Sequence, residues 1–578
     1  ESVQRSLEEP QRRAYHRELA RALEAASTQT FASLRMLVTH LAEAGELERA
    51  GQHAARAADM AAEALAFDQA AELYRMALQL LPSRAPREQQ RLWVALARSL
   101  DYAARGADAA RAYLKAAAGA QGQERRELRR KAAELLLASG HLDEGLTAVD
   151  DMLGEFGARL PATRQAALAA LRWQRMLLRV RGLRYRAKSE AEISREALDR
   201  IDTFYAVQVG LTAVDNLRAF AFQTRGFRMA LDAGEELRIG RGMALEGLNR
   251  ATLGLSRQKE ALDLISRARR IGEARGDAYV TSLSISCEGM ALYLGGQFRE
   301  GAARIAEGER MQRERLRHTS AAVAKELGAA RVLKLQALRM QGDFQEMDRS
   351  ALEYQRDAEA RGDLFAEVSF LRGAAFRHLV ADAPERALED LTAKVWPPPH
   401  GHFHTQHWYS LRIRAEVALY GGEPNGRAFL AEEFFAMNRS ALPEMQVLRA
   451  EAVWLWARLC LLEAASIPDQ RAAALREVRE AVRSLEAEKV PYASGLAALV
   501  RGCLGSVTGD RAGAVKELAR AREALADQMG LCAAAAAYRL EQLAGGGPKE
   551  GEAMLRALGV RQPARMADVV VPGDFGRG

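Results

Sequence analysis

Residues Ala64–Pro82 read ALAFDQAAELYRMALQLLP, and the spacing inside this stretch decides the fold. Phe67 precedes Ala70 by three positions, Tyr74 follows Ala70 by four, Ala77 comes three later, and Pro82 closes the run. At helical periodicity these positions share one face. The two alanines on that face let a second helix approach closely, the aromatic ring fills the space between them, and proline cannot continue the helix. The stretch therefore reads as the second helix of an antiparallel helical hairpin.

The same spacing recurs behind a glycine. It is found at Gly140, Leu142, Gly145, Val149 and Met152, and again at Gly296, Phe298, Gly301, Ile305 and Gly308. Gly342, Phe344, Met347 and Ala351 repeat it, as do Gly509, Ala514, Leu518 and Ala521. The glycine supplies the positive φ that ends one helix, and the small residue seats the next. The period drifts: Gly296 to Gly342 is 46 residues, and the 167 from Gly342 to Gly509 hold four units of ~42. EARGDAY at Glu273–Tyr279 returns as EARGDLF at Glu359–Phe365, two units later. This pattern resembles tetratricopeptide repeats with long helices. The expected fold is all-α, a right-handed α-solenoid of antiparallel helix pairs. Each pair is expected to touch only its neighbours and the chain to be elongated.

Composition agrees. The 578 residues are 48% hydrophobic, 28% charged and only 6% aromatic, which fits a folded helical chain and disfavours a β-sandwich or barrel. Basic residues exceed acidic ones by 83 − 76 = 7, a small excess that makes nucleic acid an unexpected partner. Cys287, Cys460, Cys503 and Cys532 are scattered, with no CxxC pair, so neither zinc nor a disulfide framework is expected and a cytoplasmic location fits. No apolar run of ~18 residues occurs, so no membrane span is expected. The charged opening ESVQRSLEEPQRR lacks an initiator Met, and a further N-terminal portion is expected. Four segments follow: repeats over 1–157, long connecting helices with a basic segment over 158–250, repeats over 251–544, and a short helix with an irregular tail over 545–578.

The stretches EEPQRRAYHRELARALE near the start and Leu171–Arg225 in the middle, with FHTQHWYSLRIRAEVALYGG from Phe403 and RALGVRQPARMADVV near the end, resemble a known group. The first is similar to the junction where helical repeats begin after the nucleotide-binding and winged-helix parts of signal-transducing AAA-like ATPases, and the other three to the repeat region of large bacterial serine/threonine protein kinases that also carry such an ATPase module. The resemblance implies a C-terminal regulatory region that binds a protein or peptide partner and works with kinase and ATPase domains upstream in the same chain. No GxxxxGK[ST] loop, kinase glycine loop or HRD loop occurs here, so the chain as given is expected to be non-catalytic and to hold no cofactor. The alternative is the sensor repeat region of an ATPase-type transcriptional regulator. That reading needs a helix-turn-helix after the repeats, and the tail after Gly545 reads as one short helix.

Asp574-Phe575-Gly576 matches the kinase DFG triplet, yet only two residues follow it, and it reads as coincidence. The Arg-Gly-Asp triplets at Arg275–Asp277 and Arg361–Asp363 read as a glycine stop followed by an aspartate cap. His400, His402, His404 and His407 cluster after three prolines; packing or capping is expected there, with metal binding the open alternative. The most provocative segment is Arg172–Lys188, RWQRMLLRVRGLRYRAK, where Arg172, Arg175, Arg179, Arg181, Arg184, Arg186 and Lys188 occur without one acid. Arg172, Arg175, Arg179 and Arg186 form a candidate anion or partner surface. The expected arrangement is nevertheless a packed solenoid helix, with Trp173, Leu177, Leu178 and Tyr185 buried and the arginines paired to Glu190, Glu192, Glu196 and Asp199.

Overall fold

The structure, a computed structural model, describes residues 8–25, 30–81, 85–212, 215–315, 321–396, 403–545 and 547–576. Pro82, His400 and His402 lie outside the described residues. The chain divides into two compact units, one made of Glu1–Leu160 with Asp357–Leu364, the other of Pro161–Arg356 with Phe365–Gly578.

The first unit holds α1 (Glu9–Glu24), α2 (Phe31–Glu43), α3 (Leu47–Glu63), α4 (Phe67–Leu80), α5 (Pro86–Tyr102), α6 (Gly106–Gly119), α7 (Gly122–Ala138) and α8 (Leu142–Gly154). Each helix packs on the next. The decisive stretch becomes α4, with Ala70, Tyr74 and Ala77 buried against α3, whose inner face is Ala50, Gly51, Ala54, Ala57, Ala58 and Ala61. The Tyr74 hydroxyl donates to Asp59 at 2.5 Å, and Phe67 stacks on Tyr102 with ring centroids 4.9 Å apart. Ala109, Tyr113 and Ala116 of α6 repeat the α4 pattern and are buried in the same way. Alanine-lined helices approach closely because no side chain holds their backbones apart.

The second unit opens with α9 (Arg164–Arg181), α10 (Arg195–Thr212), α11 (Asn216–Ala233), α12 (Glu236–Ala251), α13 (Leu255–Arg275), α14 (Ala278–Leu294), α15 (Phe298–Arg315), α16 (Ala321–Gln341) and α17 (Phe344–Ala360), the last as far as Arg356. It continues through α18 (Leu364–Ala374), α19 (Phe376–Val380), α20 (Pro384–Thr392), α21 (Thr405–Gly421), α22 (Gly426–Arg439) and α23 (Gln446–Ser466). It closes with α24 (Arg471–Ala487), α25 (Pro491–Thr508), α26 (Arg511–Leu525), α27 (Gly530–Leu543), α28 (Lys549–Ala557) and α29 (Pro563–Val570). Consecutive helices again pack in pairs, and no strand occurs among the described residues. The fold is all-α and solenoid-like.

Two expectations fail here. Contacts in the second unit are not confined to neighbours: α10 meets α16, α16 meets α27, and α21 meets α29. The Leu255 N–H donates to Gln446 Oε1 at 2.9 Å, and the Arg299 N–H to Gln528 Oε1 at 3.0 Å. Phe298 of α15 and Tyr492 of α25 add a further such contact, burying one ring against the other 5.6 Å apart instead of leaving each in water. The tail is not irregular either. After α28 it forms α29, whose Pro563, Met566, Ala567, Val569 and Val570 are buried, and Phe575 is covered by the Arg539 guanidinium 4.7 Å from its ring. Of the DFG triplet, Phe575 thus joins the core of this unit, while Asp574 and Gly576 stay exposed.

Candidate partner-binding surface

Gly140, Gly296, Gly342 and Gly509 sit at helix ends with φ of +84°, +86°, +87° and +83°. In the first Arg-Gly-Asp triplet, Gly276 is left-handed at +63° and the Asp277 carboxylate accepts the Val280 N–H at 2.7 Å, the stop and cap that its residues encode. His407 turns back through Nδ1 to accept the His404 N–H at 2.9 Å, capping α21, and burial followed by the Arg372 charge pushes its pKa down. No group of three metal-ligating residues exists among the described residues. No described helix is long and apolar enough to cross a membrane. All four cysteines are free and buried, and burial pushes their thiol pKa values up, to about 12 at Cys503 and Cys532.

The basic segment is arranged otherwise than expected. Helix α9 ends at Arg181 because Gly182 takes φ +72°, and Leu183–Lys188 continues as a strap whose Lys188 N–H donates to Gly234 O at 2.9 Å. Arg181 pins the strap's start by reaching Asp232 at 2.5 Å and the Arg184 carbonyl at 2.8 Å. Glu190 pairs with Arg238 at 3.2 Å, while Glu192 closes on Ser189 and feels the charges of Lys188 and Arg186 at the end of the strap, not those of Arg172 and Arg179 on α9.

Helix α9 rests on α11 through Ala167 and Leu171, which pack with Leu217 and Ala221. Leu178 is also buried and Leu177 half-buried. The opposite face is open: Trp173 is 56% exposed, Met176 45% and Val180 81%. The expectation that Trp173 is buried is overturned, since the helix carries apolar residues on both faces and only one has a partner. Arg172, Arg179 and Arg186 are exposed, and Arg172 and Arg179 make no hydrogen bond or ion pair among the described residues. Arg175 points the other way. It is half-buried, and burial pushes its pKa down while Glu246 pulls it up.

Beside the strap lies a cleft of about 250 Å³ lined by Tyr185, Glu236, Met243, Arg267, Arg270, Ile271, Ala274 and Arg275. Glu236 answers Arg275 and stands 3.5 Å from the Tyr185 hydroxyl. The strap thus borders a basic cleft through Tyr185, and α9 carries a basic, partly apolar open face of its own.

Two ionisable clusters escaped sequence reasoning. In one, Arg339 of α16, Arg412 and Glu416 of α21, and Glu451 and Arg458 of α23 are all buried. Arg339 pairs with Glu451, Arg412 bonds Gln336 at 2.6 Å, and Arg458 donates to Val569 O at 3.1 Å, holding the tail. In the other, Glu326 accepts from Tyr205 at 2.8 Å and Tyr279 at 2.9 Å, tying α10, α14 and α16 together. Burial pushes the Glu326 carboxyl up to about 7, against both hydroxyls and Arg241. The only sequence signal was a charge on an otherwise apolar helix face. Both sets act as internal ties, and their partners lie within the unit.

Comparison of the chain with known protein families and with curated proteins returns no match.

Proposed function

We propose that this chain is a non-catalytic helical-repeat module that binds a protein partner, as the regulatory C-terminal part of a bacterial signalling serine/threonine kinase with an ATPase module upstream. The exposed face of α9 carries the reading. Trp173, Met176 and Val180 lie exposed along one side of a single helix with unpaired arginines on their flank, and charged flanks with an apolar centre are the anatomy of a protein interface. The face also falls inside Leu171–Arg225, one of the stretches that resemble the kinase group.

The tail's second helix favours, by count, the transcriptional-regulator alternative, which needs two helices after the repeats. Burial of α29 against α21 and α27 suits a structural cap better than a reading head.

The test is a photo-crosslinking side chain placed in turn at Trp173, Met176 and, as control, Phe429 of α22, which is 80% exposed. The same partner should be captured from 173 and 176, be lost with Arg172→Glu and Arg179→Glu together, and be missing from 429. Identical products at all three positions would refute the reading.

A further inference from the structure

The exposed residues of α9 are not scattered. Ala166, Ala169, Trp173, Met176 and Val180 follow one another at intervals of three, four, three and four, and each is exposed. That is the a/d spacing of a helix seam, running the length of α9 on the side away from Ala167, Leu171 and Leu178. In the same heptad frame Arg172 and Arg179 occupy successive g positions, one flank of the seam. Neither arginine is paired among the described residues, and no acid occurs from Arg164 to Lys188.

We infer that α9 is one half of a two-helix seam, and that its occupant is an amphipathic α-helix with apolar a and d positions and glutamate or aspartate along its flanks. The inference rests on the partner-binding reading above and names the partner's chemistry. Three features select this occupant. The seam is narrow and two of its five positions are alanine, so it accepts the knobs of an approaching helix at Ala166 and Ala169 and inserts its own at Trp173, Met176 and Val180. A bilayer surface would instead be met by a broad apolar face. Acidic flanks would answer Arg172 and Arg179, which nothing in the unit neutralises. A second α9 cannot do so, because its own flanks carry Gln165, Arg172, Arg179, Ala170 and Leu177 and bring no acid to the arginines. Phosphate-backbone binding would use the arginines and leave Trp173, Met176 and Val180 without a role.

The test uses the full chain and a labelled synthetic helix of about three heptads, with leucine at a and d and glutamate at e and g, so that either chain direction presents acid to the arginines. Its counterpart carries lysine at e and g. Vesicles with about 30% phosphatidylserine and a DNA duplex complete the set. Fluorescence anisotropy should show saturable binding of the glutamate helix, weakened about tenfold or more by Arg172→Glu with Arg179→Glu. That double variant should gain the lysine helix, and Trp173→Ala with Met176→Ala should weaken both pairings. All four side chains are exposed, so circular dichroism should be unchanged. Equal binding of the two helices, preference for vesicles or DNA, or no saturable binding to any probe overturns the inference. If the crosslinker at 173 still captures a partner in that case, the partner-binding reading stands and only the assignment of its chemistry fails.

Discussion

Gly296 and Gly509 have nearly the same backbone and very different surroundings, and replacing each by alanine separates turn strain from long-range packing. Their φ angles are +86° and +83°, so either alanine meets the left-handed penalty of about 1 kcal/mol. A Cβ at Gly509 has nothing within 4 Å, whereas at Gly296 it lies 2.2 Å from Tyr492 Cδ1 and 2.7 Å from Cε1. Tyr492 belongs to α25, is 5% exposed and stands edge-on to Phe298, so its ring has little room to retreat. Overpacking of this kind adds about 1–3 kcal/mol, and Gly296→Ala should therefore cost about 2–4 kcal/mol against about 1 for Gly509→Ala. Native-state amide hydrogen exchange reads this locally. Gly296→Ala should speed exchange in α15 and in α25, nearly 200 residues away, while Gly509→Ala should affect only α25 and α26. Equal costs of about 1 kcal/mol, with α25 undisturbed by Gly296→Ala, would show that the second unit does not close on itself through these turns.

Glu451→Gln should cost about 3–5 kcal/mol in thermal or denaturant unfolding, because it leaves Arg339, Arg412 and Arg458 buried with Glu416 as their one remaining carboxylate, 3.8–3.9 Å away; a variant as stable as the parent would refute the buried cluster. Glu326 makes stability pH-dependent with a definite sign. Its carboxyl holds a proton more firmly folded than unfolded, so stability is greatest below the ordinary value of 4.5 and is lost as pH rises through about 7. The loss is about 1–3 kcal/mol, and Glu326→Gln should flatten that slope and leave the variant more stable than the parent at alkaline pH. An unchanged slope contradicts the assignment.

The hairpins were legible because their information is local. Ala70, Tyr74 and Ala77 encode a close helix contact within eight residues, and His407 caps α21 from three residues away. Turns without glycine were harder to see: Leu65 and Ala104 adopt φ of +60° and +58° at the ends of α3 and α5, where a search for glycine passes over them. Trp173 was misjudged because α9 is apolar on two faces, and composition cannot say which one α11 covers. Arg339 with Glu451 and Tyr205 with Glu326 lie more than a hundred residues apart, so no local window contains either pair. Helix α29 did announce itself, through Pro563 at its first turn, but it is only 8 residues long and its stability comes from α21 and α27.

Hydroxyl-radical footprinting tests the open face of α9 most directly, since tryptophan and methionine oxidise readily wherever radicals reach them. In the free chain Trp173 and Met176 should oxidise far faster than the buried Trp408 and Trp454, and saturation with the glutamate-flanked helix should slow both while leaving Phe429 unchanged. Trp173 as protected as Trp408 in the free chain, or oxidation of α9 that is indifferent to the bound helix, would contradict the account.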